Sequence, residues 1–181
     1  MAWQRTNIQV GDSILLRPWR LSDVDDAYAY GSDPEWARYL WFVPQPYSQQ
    51  DAQQFIERAV ADPWESQAQF AIEMDGHAVG GIHLYLMDAN AHVAGLGYNV
   101  ARSHWGRGIA TQAARAVIEY GISVLGIRKF VSTADARNAG SVRVMQKLGM
   151  QQEGLLRQNR FYRGDYADEI VYAFLTPGVE P

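Results

Sequence analysis

The residues 98–112, "YNVARSHWGRGIATQ", limit the possible folds of this chain more than any other stretch. A β-rich run passes through Ser103, His104, Trp105, Gly106, Arg107 and Gly108 and enters an amphipathic helix with no intervening linker. Two glycines at a strand-to-helix turn allow close approach of a ligand to backbone, and the first turn of the helix offers N–H groups without intrahelical partners. Such a turn suits a diphosphate. A lone Gly-x-Gly is also a common tight turn, so the rest of the chain must decide between the two readings.

The chain has 181 residues, of which 48% are hydrophobic, enough for one domain with a sizeable core; the expected unit is 1–181, with its core at about 14–175. No apolar run is long enough to span a bilayer and the first ten residues are too polar for a signal peptide, which predicts a cytoplasmic protein that does not enter membranes. The absence of cysteine removes disulfides, thiolate metal sites and a cysteine nucleophile. A net charge of −4 without a long basic block disfavours direct nucleic-acid binding and suits a cationic partner. No His or carboxylate spacing predicts a metal site.

Along the chain, 14–18 reads as a strand, and Ser22 with Asp25 as the cap of a helix running to about Tyr30. Asp33 before Pro34 starts a short helical turn, 41–47 is a loop, and Ser48 with Asp51 caps the next helix. Residues 69–74 and 78–87 alternate around the turn Asp75-Gly76. Strand 93–100 carries Gly95 and Gly97, which predict a bulge or a close approach of ligand backbone. A helix over 109–124, a strand over 130–134, a helix capped by Asn138 and ended by Gly149, and a hairpin of 153–162 with 169–175 complete the order. The expected class is α+β: one mixed, mostly antiparallel sheet flanked by helices.

Three ordered blocks, "ILLRPWRLSDVDDAYAYGSDPEWARYL", "GYNVARSHWGRGIATQAA" and "RKFVSTADARNAGSVRVMQKLGM", with the hairpin around "YRGDYADEIVY", resemble the GNAT superfamily of N-acetyltransferases. Within it they are most similar to the branch that acetylates ribosomal-protein N-terminal alanine and serine. The resemblance implies an acyl-CoA site in which Tyr98, Asn99 and Val100 hydrogen-bond the pantetheine arm like an added strand. Backbone N–H groups of Trp105, Gly106, Arg107, Gly108, Ile109 and Ala110, the Thr111 hydroxyl and the Arg107 charge would hold the pyrophosphate. It also places Asn138 beside the pantetheine arm and makes Ser141 the group that meets the departing thiolate. By residue type alone Asn138 reads first as an N-cap, a role compatible with the other, and Ser141 is also read as a residue that fills the first turn of that helix.

The chain departs from the family at several positions. Ser103 stands where Gln or Arg is usual, and Gln112 where the ribosomal branch often has Glu. Gly95 replaces a strand glutamate near the acceptor, and Met145 replaces the tyrosine that many relatives use as an acid. His83, His92 and His104 therefore remain candidate bases, Glu73 is a further carboxylate, and Glu35, Trp36 and Trp41 are candidate pocket walls. The expected reaction is direct acetyl transfer from acetyl-CoA, as co-substrate, to a primary amine, with a peptide N-terminus favoured as acceptor. The alternatives are a small amine such as a polyamine or aminoglycoside, and a non-catalytic acyl-CoA sensor. A dinucleotide oxidoreductase is a weaker fit, since the third fingerprint glycine is missing. A second copy of the chain is a further candidate partner, as a homodimer.

Overall fold

A computed structural model describes residues 3–178; the ends of the expected unit, 1–2 and 179–181, lie outside the described residues. Eight strands, β1 (Ile8–Val10), β2 (Ile14–Pro18), β3 (Gln67–Met74), β4 (His77–Asp88), β5 (Val93–Val100), β6 (Lys129–Asp135), β7 (Gln151–Tyr162) and β8 (Asp165–Leu175), form one sheet. Their order is β1-β2-β3-β4-β5-β6-β8-β7. Every neighbouring pair is antiparallel except β5 and β6, which run parallel. The helices are α1 (Val24–Gly31), α2 (Pro34–Ala37), α3 (Gln49–Ala61), α4 (Ile109–Leu125) and α5 (Ala139–Lys147). The dinucleotide alternative fails on this topology: among the described residues β5–α4–β6 is a single parallel βαβ unit, and the other neighbouring pairs are antiparallel, so the βαβαβ half that cradles a dinucleotide is not formed.

Side chains alternate across the sheet and divide the core in two. Phe70, Ile72, Ile82, Leu84, Leu96 and Phe130 pack on α4 and α5, whereas Trp19, Ala71, Ala78 and Ala101 pack on α1 and α3. Gly121 of α4 lets this helix sit close to the sheet. A Cβ there would come within 2.7 Å of the Phe130 ring and 3.2 Å of Leu84. The turn Asp75-Gly76 has both residues at positive φ, 51° and 83°, the mirror-type turn that matches strand twist, so the expected hairpin forms.

Three local expectations are corrected. Strand β1, which pairs Ile8–Val10 with the first strand predicted from the sequence, has only three residues, too few to show a period. Ser22 does not cap α1; it lies within a 3-10 turn (Leu21–Asp23), and the Asp23 carboxylate accepts from the Arg20 N–H at 2.8 Å. Gly95 and Gly97 mark no bulge: β5 stays in register with β4 through both, and the irregularity lies at Leu86/Asp88. By contrast, Asp33 accepts from Glu35 N–H ahead of Pro34, and Ser48 with Asp51 forms a reciprocal capping box on α3.

Arg17, 1% exposed, is the most deeply placed charge. It forks onto Asp23 with bonds of 2.7 and 2.8 Å and donates from Nε to Glu73. This fastens the chain before α1 to β2 and β3. Removing one partner of a buried ion pair strands the other charge, at a cost of about 3–5 kcal/mol. Asp23→Ala should lower unfolding free energy by about that amount in urea titration with little change in slope. A loss under about 1 kcal/mol would show that water reaches Arg17 and that the pair carries little.

Candidate active site

The sheet opens at its centre. Parallel pairing of β5 with β6 covers only Val93–Lys129, Ala94–Phe130 and Gly95–Val131 and then stops. Beyond it β5 remains paired with β4 as far as Val100, and β6 with β8 as far as Asp135. Each strand therefore keeps a full ladder on its outer side while the inner sides part. The Ser132 hydroxyl donates to the Leu96 carbonyl at 2.8 Å where the parting starts, and the Trp105 indole N–H donates to the Val100 carbonyl at 2.7 Å where β5 ends. Tyr98 and Asn99 lie between these two bonds.

The chain then turns through a 3-10 segment (Arg102–His104) into α4. Gly106 and Gly108 both have φ of 77°, a conformation that strains any residue with a side chain. A Cβ on Gly106 would meet nothing within 4 Å, and on Gly108 only the Gln112 amide at 3.6 Å, so the space above the turn is open. The backbone bond that begins α4 runs from Gln112 N–H to the Gly108 carbonyl. The amides of Ile109, Ala110 and Thr111 precede it and have no carbonyl a turn earlier to accept them. Ile109 buries its side chain in the core, while Arg107 is exposed. Trp105 departs from the expectation for its backbone: its N–H donates to the Arg102 carbonyl at 3.1 Å, and its contribution is the indole that holds the turn against β5.

On the other side of the opening, Asn138 accepts from Ser141 N–H at 3.1 Å and caps α5, so the capping reading of Asn138 is correct whatever else it does. Ser141 faces Tyr98. The Tyr98 hydroxyl lies 3.1 Å from both the Ser141 carbonyl and the Ser141 Oγ, bridging β5 to α5 across the gap. Burial pushes the Tyr98 phenol up to about 12, against the pull of hydrogen bonds to Ser141 and Ser132. It is thus a protonated donor at neutral pH. The sequence points only to the backbone of Tyr98; strand alternation, which sets Tyr98 with Ala94, Leu96 and Val100 toward the helical side, is the signal for its side chain. Met145 is fully buried in the core.

The opposite face of β5 carries the two glycines, and two rings from β4 cover them. A Cβ on Gly95 would lie 2.1 Å from the Tyr85 ring, and one on Gly97 2.3 Å from the His83 imidazole. The two rings stack at 5.4 Å with 20° between planes. Burial alone holds the His83 pKa below that of an exposed histidine.

The other candidates separate clearly. Glu73 is engaged by Arg17 in the structural cluster, and Glu35 forms an exposed pair with Arg38 at 3.5 Å. His92 lies in the turn before β5, at the end of the strand remote from Val100, whereas His104 bonds Ser103 beside the glycine turn. Trp36 packs on Tyr30. Trp41 lies under the Arg160 guanidinium at 4.7 Å, and Arg163 donates to the Arg38 carbonyl at 2.7 Å, so residues 38–41 reach the β7–β8 hairpin. Behind that contact Glu169 is buried and bonded by Arg160 and Asn159; burial opposes its ionisation, but these partners hold its pKa below the usual carboxylate range.

Comparison with known proteins agrees with this architecture. The acetyltransferase (GNAT) domain family matches residues 13–151. The N-acetyltransferase p20 of Bacillus licheniformis is 26% identical over 166 residues, covering 91% of this chain and 93% of its own. The spermidine N(1)-acetyltransferase of Escherichia coli K12 is 27% identical over 159 residues, covering 87% and 83%. Among solved structures, the ribosomal L7/L12 alpha-N-protein acetyltransferase RimL in complex with coenzyme A superposes with a TM-score of 0.85 over 94% of this chain and 98% of that one, at 21% identity. A parted β5–β6 pair, a glycine turn opening onto a helix start, and a family match across most of the chain lead to one assignment: this protein belongs to the GNAT family of acetyltransferases.

Proposed function

We propose that this chain transfers the acetyl group of acetyl-CoA to the α-amine of a protein or peptide, by direct attack with both substrates bound. The observation that carries the cofactor half is the unpaired stretch of β5 running into the open amides of α4. An extended amide-bearing arm fits beside an unpaired strand edge, and phosphate oxygens fit a helix start whose glycines leave the space above them clear. Tyr98, Asn99 and Val100 would line the arm. Gly106, Arg107, Gly108, Ile109, Ala110 and Thr111 would surround the diphosphate, and Asn138 would face the arm from α5. RimL, which shares the fold, was solved with coenzyme A.

The chain's own residues then have defined work. Holding the acceptor amine against the acyl group in this gap would contribute more than any single side chain. Ser141, with its hydroxyl beside the protonated Tyr98, is placed to hydrogen-bond a departing thiolate, and Tyr98 to replace the proton given. Without a carboxylate on β5 at Gly95, a readily deprotonated acceptor is favoured. An α-amine with a pKa near 7.8 is roughly 15% neutral at pH 7, and a lysine amine near 10.4 only about 0.04%. The likeness to a spermidine acetyltransferase keeps a small polyamine as the second reading.

Coenzyme A should stabilise the protein by about 2.7 kcal/mol at a hundredfold excess over its dissociation constant, whereas NAD should leave the melting temperature unchanged. Gly106→Val should weaken that stabilisation at least tenfold in affinity, about 1.4 kcal/mol, without unfolding the chain. Absence of any shift with millimolar coenzyme A would remove the cofactor assignment. In steady-state kinetics, Ser141→Ala should lower kcat more than it changes the KM for acetyl-CoA, because its bond to sulfur strengthens as charge develops. Full turnover in that variant, with chemistry rate-limiting, would leave Ser141 a helix-start residue only. A peptide panel with free or blocked N-termini, each with and without lysine, addresses the acceptor. Labelling confined to free N-termini is expected, and labelling that tracks lysine would reverse the preference.

A further inference from the structure

The face of β5 turned away from Tyr98 and Ser141 has been cleared of side chains at two successive inward positions, Gly95 and Gly97. Cross-strand rings commonly cover glycines in sheets, and Tyr85 over Gly95 needs no further explanation. His83 over Gly97 is different. An imidazole covers glycine no better than a phenyl ring does, yet it gives up hydration of its nitrogens at a half-buried position. Its position along the strand is also particular. Gly95 is the last β5 residue paired with β6, so Gly97 is the first on this face to lie beyond the parting. The imidazole therefore abuts backbone that the proposed acyl arm would occupy from the opposite edge. No side chain on residue 97 could share this volume, because a Cβ would lie 2.3 Å from the ring.

We propose that His83, seated on Gly97 and stacked on Tyr85, is the group that takes the proton from the acceptor ammonium. This rests on the acetyltransfer reading above. The charge balance is simple. The bound ammonium gives one proton to neutral His83, which passes it to solvent. The freed amine nitrogen forms a bond to the acetyl carbonyl carbon, and the carbon–sulfur bond breaks with its electron pair on sulfur. The nitrogen's second proton passes to solvent as the amide forms, and the thiolate gains one from the Ser141–Tyr98 pair, which takes a proton back from solvent. One ammonium and one thioester thus yield one amide, one thiol and one proton.

The surroundings suit a base that is neutral at working pH. Register places Gln69 of β3 opposite His83 and Gln67 opposite Tyr85, both uncharged. Asp62, at the end of α3, is bonded by the amides of both glutamines and by Trp64 N–H. With Tyr85 on its own strand and Gly97 on β5, no cation or anion is bonded to the ring on these sides, and burial accounts for its lowered pKa. Acting on an α-ammonium of pKa near 7.8, such a base would meet its substrate at neutral pH, when the base is free and the amine mostly charged.

The test combines kinetics with a titration that needs no turnover. In the wild-type protein, the acid limb of the kcat/KM profile should coincide with the pKa of the His83 ring read by NMR in the coenzyme A-bound protein, below the exposed-histidine value of about 6.5. His83→Gln preserves a planar cover for Gly97, and its melting shift with coenzyme A should stay within twofold in affinity. Its rate at pH 7 should fall at least tenfold, and its acid limb should move up to the pKa of the acceptor amine, so that the gap narrows toward pH 9. His83→Ala should regain part of the rate with added imidazole. A folded His83→Gln protein with the wild-type rate and limb, or a His83 ring that titrates away from the kinetic limb, overturns the assignment while leaving acetyltransfer intact. Absence of wild-type turnover across amines and peptides would instead remove the reading on which it rests.

Discussion

The parting of β5 from β6 is the constraint around which the site is organised. Backbone amides inside a protein need partners, and a sheet normally supplies them on both sides of a central strand. Here each of the two central strands is satisfied on its outer side by β4 or β8, and on the inner side only as far as Gly95 and Val131. Past these two residues the sheet has an edge inside the molecule, protected from other chains by the strands and helices around it. Edges of this kind invite extended ligands. The glycine turn, the start of α4 and the capped start of α5 all border this opening.

Much of this was legible in the sequence because short-range chemistry determines it. Asp33 before Pro34, the Ser48–Asp51 pair, Asp75-Gly76, Asn138 and Gly149 act through their own backbone within three or four residues, and the structure shows each at its expected turn or helix end. The fold class came from the order of these elements. The glycine turn could be located for the same reason, since two positive-φ residues immediately before an amphipathic run are a local event.

Long-range pairing was not legible. Gly95 and Gly97 look alike whether a ligand, a bulge or a ring fills the space above them, and only the register with Tyr85 and His83 decides. Ser22 has a side chain suited to capping, but Arg17, six residues before Asp23 and buried, recruits Asp23 into the turn and sets where α1 begins. Strand alternation gives the face on which the Tyr98 side chain lies but not its role, because its partner, Ser141, lies 43 residues away and is brought near only by α5. The cation–π contact of Arg160 with Trp41 belongs to the same class. Side chains whose role is set by a neighbour distant in sequence carry no spacing signal of their own.

The two side-chain bonds that frame the gap limit how anything can be seated there. In an extended strand the N–H and C=O of alternate residues point to the same side, so Leu96, Tyr98 and Val100 direct their backbone groups into the opening. The Leu96 carbonyl is taken by Ser132, and that of Val100 by the Trp105 indole. The carbonyl of Tyr98 lies between them as a single rung. A strand-like guest that slid by one repeat, about 6.8 Å for two residues, would meet a carbonyl already in use. On the cofactor reading proposed above the opening would be keyed: an amide-bearing chain would fit in one lengthwise register, and the distance from that rung to the glycine turn would set how long the chain must be.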